Sequence, residues 1–166
     1  MEYPILCLLI LRLYRLQKVL ERHLSFKLDA KGRVFIPAKW RDALGDTVVV
    51  TQGVLAKQGD QCLFGMSSAE WHAFSEKLMR LPITDAAGQT ILRRLYAMAA
   101  ACEVDRQGRI LIPAQLRERA GLTKDATLIG VGERIELWNP RALAAYTRQT
   151  DEEYGEALGR LAEIGI

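Results

Sequence analysis

Lys31, Gly32 and Arg33 stand side by side, and their types suit contact with a phosphate-bearing, base-bearing ligand. An ammonium can neutralise a phosphate. Glycine lets a ligand approach the backbone closely. Arginine carries a planar fork that matches the O6 and N7 acceptors of guanine in the major groove. Asp29, one turn earlier in the chain, can hold that fork through a charge-assisted hydrogen bond. An Asp29–Arg33 pair that only stiffens a turn fits the same residues equally well.

These residues belong to LDAKGRVFIPAKWRDALG, Leu28 to Gly45, which returns as VDRQGRILIPAQLRERAG, Val104 to Gly121. Asp29, Gly32, Arg33, Ile36, Pro37, Ala38, Arg41 and Gly45 recur without a gap as Asp105, Gly108, Arg109, Ile112, Pro113, Ala114, Arg117 and Gly121. A fixed spacing of this kind marks an internal duplication. In the second copy Arg106-Gln107 replaces Ala30-Lys31, so the cation moves by one position. Asp105, Arg106, Gly108 and Arg109 form either a second contact surface or a structural remnant, and the reading leans to the structural role. Lys39, Arg41 and Arg117 are auxiliary or interface candidates, with solvated surface as the default.

Other chemistry is weakly supported. His23 and His72 are the only histidines, and neither sits in a Ser/His/Asp or Cys/His arrangement that local sequence suggests. His72 reads as a surface or packing residue. Gly130-x-Gly132 lacks the third glycine and the strand-to-helix context of a dinucleotide fingerprint. No cluster has metal-ligand spacing, so neither a metal nor a cofactor is expected. The chain is read as a non-enzyme; a small hydrolase has no constellation to support it.

Each motif is positioned by the same short elements. Asp29 to Gly32 is turn chemistry, an Asx-type acceptor followed by a glycine able to take positive φ. Arg33 to Ile36 reads as a short half-buried strand. Pro37 fits the first position of a helix over Ala38 to Leu44, which Gly45 stops. Further strands are expected at His23–Leu28, Thr47–Thr51, Cys62–Met66 and Ala101–Val104. A hairpin is expected from Thr127–Gly132 and Arg134–Trp138, turning at Gly132-Glu133. Ser67 and Glu70 offer a capping box for a helix to about Arg80, with Trp71, Phe74, Leu78 and Leu81 on one face. Thr84 or Asp85 caps a second helix to about Met98, and the two helices bridge the repeats. Asn139-Pro140 starts a C-terminal helix to about Leu161, with Leu143, Tyr146, Tyr154, Leu158 and Leu161 as packing candidates.

The chain has 166 residues, 49% hydrophobic and 26% charged, as in a soluble globular protein. That length suits one ordinary domain or two small ones, and duplication favours two sharing a core. Net charge is +3, unevenly spread. Arg12, Arg15, Lys18, Arg22, Lys27, Lys31, Arg33, Lys39 and Arg41 crowd the front, while Asp151, Glu152, Glu153, Glu156 and Glu163 make the tail acidic. This suits a nucleic-acid partner for the front half, or merely a solvated surface. Cys7, Cys62 and Cys102 are odd in number and read as reduced and buried. The apolar run Ile5 to Leu11 is too short to span a bilayer and lacks the flanks of a signal peptide; a membrane-surface helix is the alternative.

Asp-x-x-Gly-Arg-x-x-x-Pro in tandem, with CLFGMSSAEW after the first copy and IELWNP after the second, resembles the MraZ family. The resemblance runs from about His23 to about Leu161. It implies an α+β fold in which two tandem AbrB-like (swapped-hairpin β) units form an intramolecular pseudo-dimer with flanking helices. The expected division is residues 21–80 for the first unit, 81–98 for a helical bridge and 99–166 for the second unit with its C-terminal helix. Residues 1–20 fall outside it and are expected to be a non-native or disordered extension, from a start codon set too early. The resemblance further implies a cytoplasmic, nucleoid-associated transcriptional regulator. It would form a homo-oligomeric ring and bind short direct repeats in double-stranded DNA upstream of the division and cell-wall gene cluster, its own promoter included. Asp29, Lys31, Gly32 and Arg33 inherit the DNA-facing role. A ring-forming protein-interaction scaffold without DNA binding is the alternative.

Overall fold

The computed structural model describes residues 24–54 and 62–163. Residues 1–20, Cys7 among them, and His23 lie outside them. The first repeat contributes strands β1 (Leu24–Lys27), β2 (Arg33–Phe35), β3 (Thr47–Gln52) and β4 (Cys62–Ser67). Its helices are α1 (Ala38–Leu44) and α2 (Ser68–Met79), followed by α3 (Ala86–Met98). The second repeat contributes β5 (Ala100–Glu103), β6 (Arg109–Leu111), β7 (Asp125–Val131) and β8 (Arg134–Trp138), with α4 (Ala114–Arg119) and α5 (Pro140–Glu163). The fold is α+β.

The strand order shows how the repeats combine. Six strands form one antiparallel sheet, β1-β7-β8-β4-β3-β5, and β2 pairs with β6 in a separate ribbon. Exchanging each strand for its counterpart in the other repeat returns the same order read from the opposite edge. The register obeys the same symmetry. In the ribbon Val34 faces its own counterpart Ile110, while Arg33 faces Leu111 and Phe35 faces Arg109. The β1–β7, β3–β5 and β4–β8 pairs all join one repeat to the other. Neither repeat therefore completes its sheet alone.

Alternation along these strands divides the interior into two layers. Val34, Ile36, Trp40, Val48, Val50, Leu63, Ile110, Ile112, Leu116, Leu128, Ile135 and Leu137 are buried between the sheet and the cover made by the ribbon, α1 and α4. Cys62, Phe64, Met66 and Trp138 are buried on the other face, against Trp71 and Phe74 of α2 and Leu143 and Tyr146 of α5. Trp40 is fully buried, so Trp40→Ala falls in the class of core truncations that cost about 3–5 kcal/mol.

Local signals account for the helix starts. Ser67 Oγ accepts the Glu70 N–H at 3.1 Å, and Asp85, not Thr84, caps α3 by accepting the Gly88 N–H at 3.0 Å. Asn139 Oδ1 accepts the N–H groups of Arg141 and Ala142 at α5. Gly132 turns the β7–β8 hairpin at φ 59. Two expectations need correction. Pro37 and Pro113 are N-cap residues with extended ψ of 138 and 142, not first helical residues. Their extended ψ leaves the Pro37 carbonyl to accept the first helical bond, from Trp40 at 2.9 Å. Tyr154, Leu158 and Leu161 share a helix face but are exposed, as is every described side chain of α5 from Asp151 on. Strands β3 and β4 are buried almost throughout, because the second repeat supplies neighbours on both sides.

Candidate functional site

The two Asp-x-x-Gly-Arg turns are built by the same hydrogen bonds. Asp29 Oδ1 accepts the N–H of Lys31 at 2.9 Å and of Arg33 at 3.0 Å, while Oδ2 accepts Arg33 Nε at 2.6 Å. The Gly32 N–H closes the turn on the Asp29 carbonyl at 2.9 Å, with φ at +82. In the second copy Asp105 Oδ1 accepts the N–H of Gln107 at 2.9 Å and of Arg109 at 3.0 Å, and Oδ2 accepts Arg109 Nε at 2.9 Å. Gly108 has φ at +78. One carboxylate thus organises a whole turn, which is why the short polar acceptor and the left-handed glycine recur together.

These bonds favour the ionised carboxylates. The Arg33 backbone N–H, then its side chain, draw the Asp29 carboxyl down to about 2, against partial desolvation that opposes them. The Arg109 side chain and backbone N–H likewise lower Asp105.

The β2–β6 ribbon brings both turns to one place. The Ile36 N–H donates to the Gly108 carbonyl at 2.8 Å, and the Ile112 N–H donates to the Gly32 carbonyl at 3.2 Å. Arg109 Nη1 lies 3.6 Å from Asp29 Oδ2, and Arg33 Nη1 lies 3.9 Å from Asp105 Oδ2. Asp29, Arg33, Asp105 and Arg109 therefore form one cluster of two carboxylates and two guanidiniums. Its own charges cancel. The excess positive charge sits beside it, on the exposed side chains of Lys31 and Arg106 at the turn tips, with Lys39 exposed on α1.

The two arginines are held unequally. Arg109 places Nε and Nη2 on Asp105 Oδ2, the latter at 2.8 Å, and turns Nη1 to Asp29. Arg33 anchors chiefly through Nε, and its side chain is the more exposed, 30% against 24%. A guanidinium gripped at Nε can present its outer edge to a planar pair of acceptors.

Gly32 and Gly108 are buried, which corrects the expectation of an open ligand approach over Gly32. A Cβ on Gly32 would fall 2.5 Å from the Arg117 guanidinium, and one on Gly108 would fall 2.7 Å from the Arg41 guanidinium. Each short-helix arginine thus lies across the turn glycine of the opposite repeat, not in solvent. Arg117 is fixed by donation from Nε to the Ile112 carbonyl at 3.1 Å. Arg41 lies over the Phe35 ring, 5.4 Å from its centroid. Recurrence of Arg41 as Arg117 signalled a shared role, but not the glycine it covers.

Sequence reading gave no role to Phe35 and Leu111. Both are exposed and lie on the outward face of the ribbon, paired across it with Arg109 and Arg33. Elsewhere, His72 is exposed on α2, 3.3 Å from Glu76. Cys62 and Cys102 are buried free thiols that desolvation pushes up to about 12 and about 11. No helix among the described residues is long and apolar enough to cross a membrane.

Interleaved repeats that deliver a duplicated Asp-x-x-Gly-Arg turn to a single cluster define a tandem-repeat α+β protein. A family model described as "MraZ protein, putative antitoxin-like" matches residues 22–94 and again 95–161. The Transcriptional regulator MraZ of Desulfitobacterium hafniense is 42% identical over 139 residues, covering 84% of this chain and 94% of its own. The proteins of that name from Thermoanaerobacter pseudethanolicus and Caldicellulosiruptor bescii are 45% and 47% identical over the same shares. The chain belongs to the MraZ family.

Proposed function

We propose that this chain is a sequence-specific DNA-binding transcriptional regulator whose reading head is the paired-turn cluster. The observation that carries this reading is the held guanidinium of Arg33, flanked by the exposed cations Lys31 and Arg106. Arg33 contacts guanine in the major groove, buttressed by Asp29. Lys31 neutralises a neighbouring phosphate. Gly32 acts as the turn-former beneath Arg117, and Asp105, Gly108 and Arg109 act mainly as the framework that orients Arg33. Lys39 and Arg106 add positive charge at the rim. The name of the relatives, Transcriptional regulator MraZ, agrees with this reading.

The finer reading follows the family resemblance. Two AbrB-like swapped-hairpin units form an intramolecular pseudo-dimer, residues 21–80 and 99–166, joined by a helical bridge over 81–98. The palindromic strand order supports that arrangement. Copies of the chain assemble into a ring, cytoplasmic and nucleoid-associated, that binds short direct repeats upstream of division and cell-wall genes, including its own promoter. Several modest contacts engaged together then give high avidity.

The test is a titration of the protein against its own upstream DNA and a scrambled competitor over a salt series. Preference for the native DNA, with affinity falling steeply as salt rises, is the expected result. Equal binding to both DNAs, or affinity indifferent to salt, excludes the reading and favours a protein-binding scaffold.

A further inference from the structure

The outward face of the β2–β6 ribbon is chemically mixed. Its inward residues, Val34 and Ile110, are fully buried. Its outward residues are Arg33 and Phe35 on one strand and Arg109 and Leu111 on the other. Leu111 is 53% exposed and belongs to neither buried apolar cluster, so packing among the described residues does not account for its apolar character. Phe35 is less exposed, at 37%, and already packs on Phe26 and under Arg41.

We propose that Leu111 is a specificity-determining residue that contacts a thymine methyl group beside the base contacted by Arg33. This rests on the DNA-binding reading given above. Directly paired residues of an antiparallel ribbon share a face, with Cβ atoms about 4.5–5.5 Å apart. Successive base pairs are about 3.4 Å apart along the duplex. Leu111 therefore stands within side-chain reach of the base pair next to the one Arg33 faces. A two-stranded ribbon fits the major groove, where the thymine C5 methyl is the only apolar group on a base edge. Lys31 and Arg106, exposed on the turns leading into β2 and β6, give that face the charge to hold DNA against it. Arg33 supplies the polar half of the recognition and Leu111 the apolar half, one from each repeat.

The experiment uses the full chain and its own upstream DNA. Two versions of that DNA are compared, one natural and one with deoxyuridine for thymidine, which removes only the C5 methyl. Wild type, Leu111→Ala and Arg33→Ala are titrated against both and against a scrambled competitor, with mass followed by light scattering. Wild type should bind the methyl-free DNA about fourfold more weakly per engaged site, the effect of one buried methyl. Leu111→Ala should bind natural DNA more weakly by a similar factor, keep its mass, and no longer distinguish the two DNAs. If wild type prefers its own DNA and Arg33→Ala loses that preference, while removing methyls changes nothing, this proposal fails and the regulator reading stands. The proposal fails equally if Leu111→Ala keeps the wild-type methyl dependence, or if its defect is a changed mass, which makes Leu111 a contact between copies. If wild type does not prefer its own DNA to the scramble, both fall together.

Discussion

The first and second turns share a backbone and differ at the tip. Both use one aspartate to bind two N–H groups and an Arg Nε, and both bury a left-handed glycine beneath the other repeat's arginine. The exposed pair between them is Ala30-Lys31 in one and Arg106-Gln107 in the other. What is duplicated is thus the part that folding requires, since each turn props up its counterpart. What differs is the part that faces solvent, where a partner can act on it. The duplication supplies a rigid frame twice, and only the tips and the grip on each arginine distinguish the copies.

Breaking the comparison at its arginines should give the largest effect. Arg33→Ala should cost about 1–3 kcal/mol per engaged DNA site and relax sequence preference. In a multivalent assembly such losses multiply, so binding should nearly vanish. Arg109→Ala should instead lower thermal stability first, because Arg109 grips Asp105 through two nitrogens and reaches Asp29. Titration of both variants against native and scrambled DNA, beside their melting curves, checks this. An Arg33→Ala protein that binds like wild type while Arg109→Ala alone fails would move the reading head to the second repeat.

The glycines test the opposite side of the comparison, the claim that the frame is the same twice. Gly32→Ala and Gly108→Ala each force a side chain into left-handed backbone, at about 1–2 kcal/mol. Each also displaces the far end of an arginine. Their Tm values should fall by similar amounts, about 2–8 °C. A loss confined to one of them would show that the frame is not shared.

The tips come next in size. Lys31→Ala should weaken all DNA sequences alike and reduce the salt slope by about one per engaged site. Gln107→Lys puts the cation of the first tip at the matching place in the second. If the second tip also lies near DNA, the slope should steepen by a similar amount. An unchanged slope places that tip away from the phosphates.

The same comparison explains how much could be read from residues alone. Asp29, Gly32, Pro37 and Gly45 act within one or two turns of chain, so the turn, strand and short helix were legible, as were the caps at Ser67 and Asn139. Strand partners were not. β1 pairs with β7, and β3 with β5, between residues far apart in sequence, and alternation says which face is buried without saying which strand lies alongside. In the same way the turns read as separate tips, when the β2–β6 pairing in fact joins them in one cluster. Helix periodicity had the same limit. It made Tyr154, Leu158 and Leu161 packing candidates, but could not say that nothing among the described residues covers them. Arg41 and Arg117 stood out by recurrence, yet their partner glycines lie in the opposite repeat.

The carboxylates should give the smallest effect, because both are open to solvent that screens them. Asp29 is held near 2 and Asp105 is lowered, against an ordinary value of 3.8 for each. A carboxylate with a depressed folded-state pKa adds stability that is fully present above its unfolded value. That stability drains as pH falls through the folded one. Stability from these two groups should therefore be constant at neutral pH and decline from about pH 4 to about pH 2. Asp29→Asn and Asp105→Asn should each flatten the dependence of stability on pH in that window and leave it unaltered above pH 6. Asp29→Asn should flatten it down to about pH 2, the value to which the Arg33 backbone N–H and side chain draw its carboxyl. Denaturant midpoints measured at several pH values for the three proteins decide it. Identical acid limbs for wild type and Asp29→Asn would mean that the turn's hydrogen bonds do not favour the ionised carboxylate in solution, and the difference between the two turns would then rest on their tips alone.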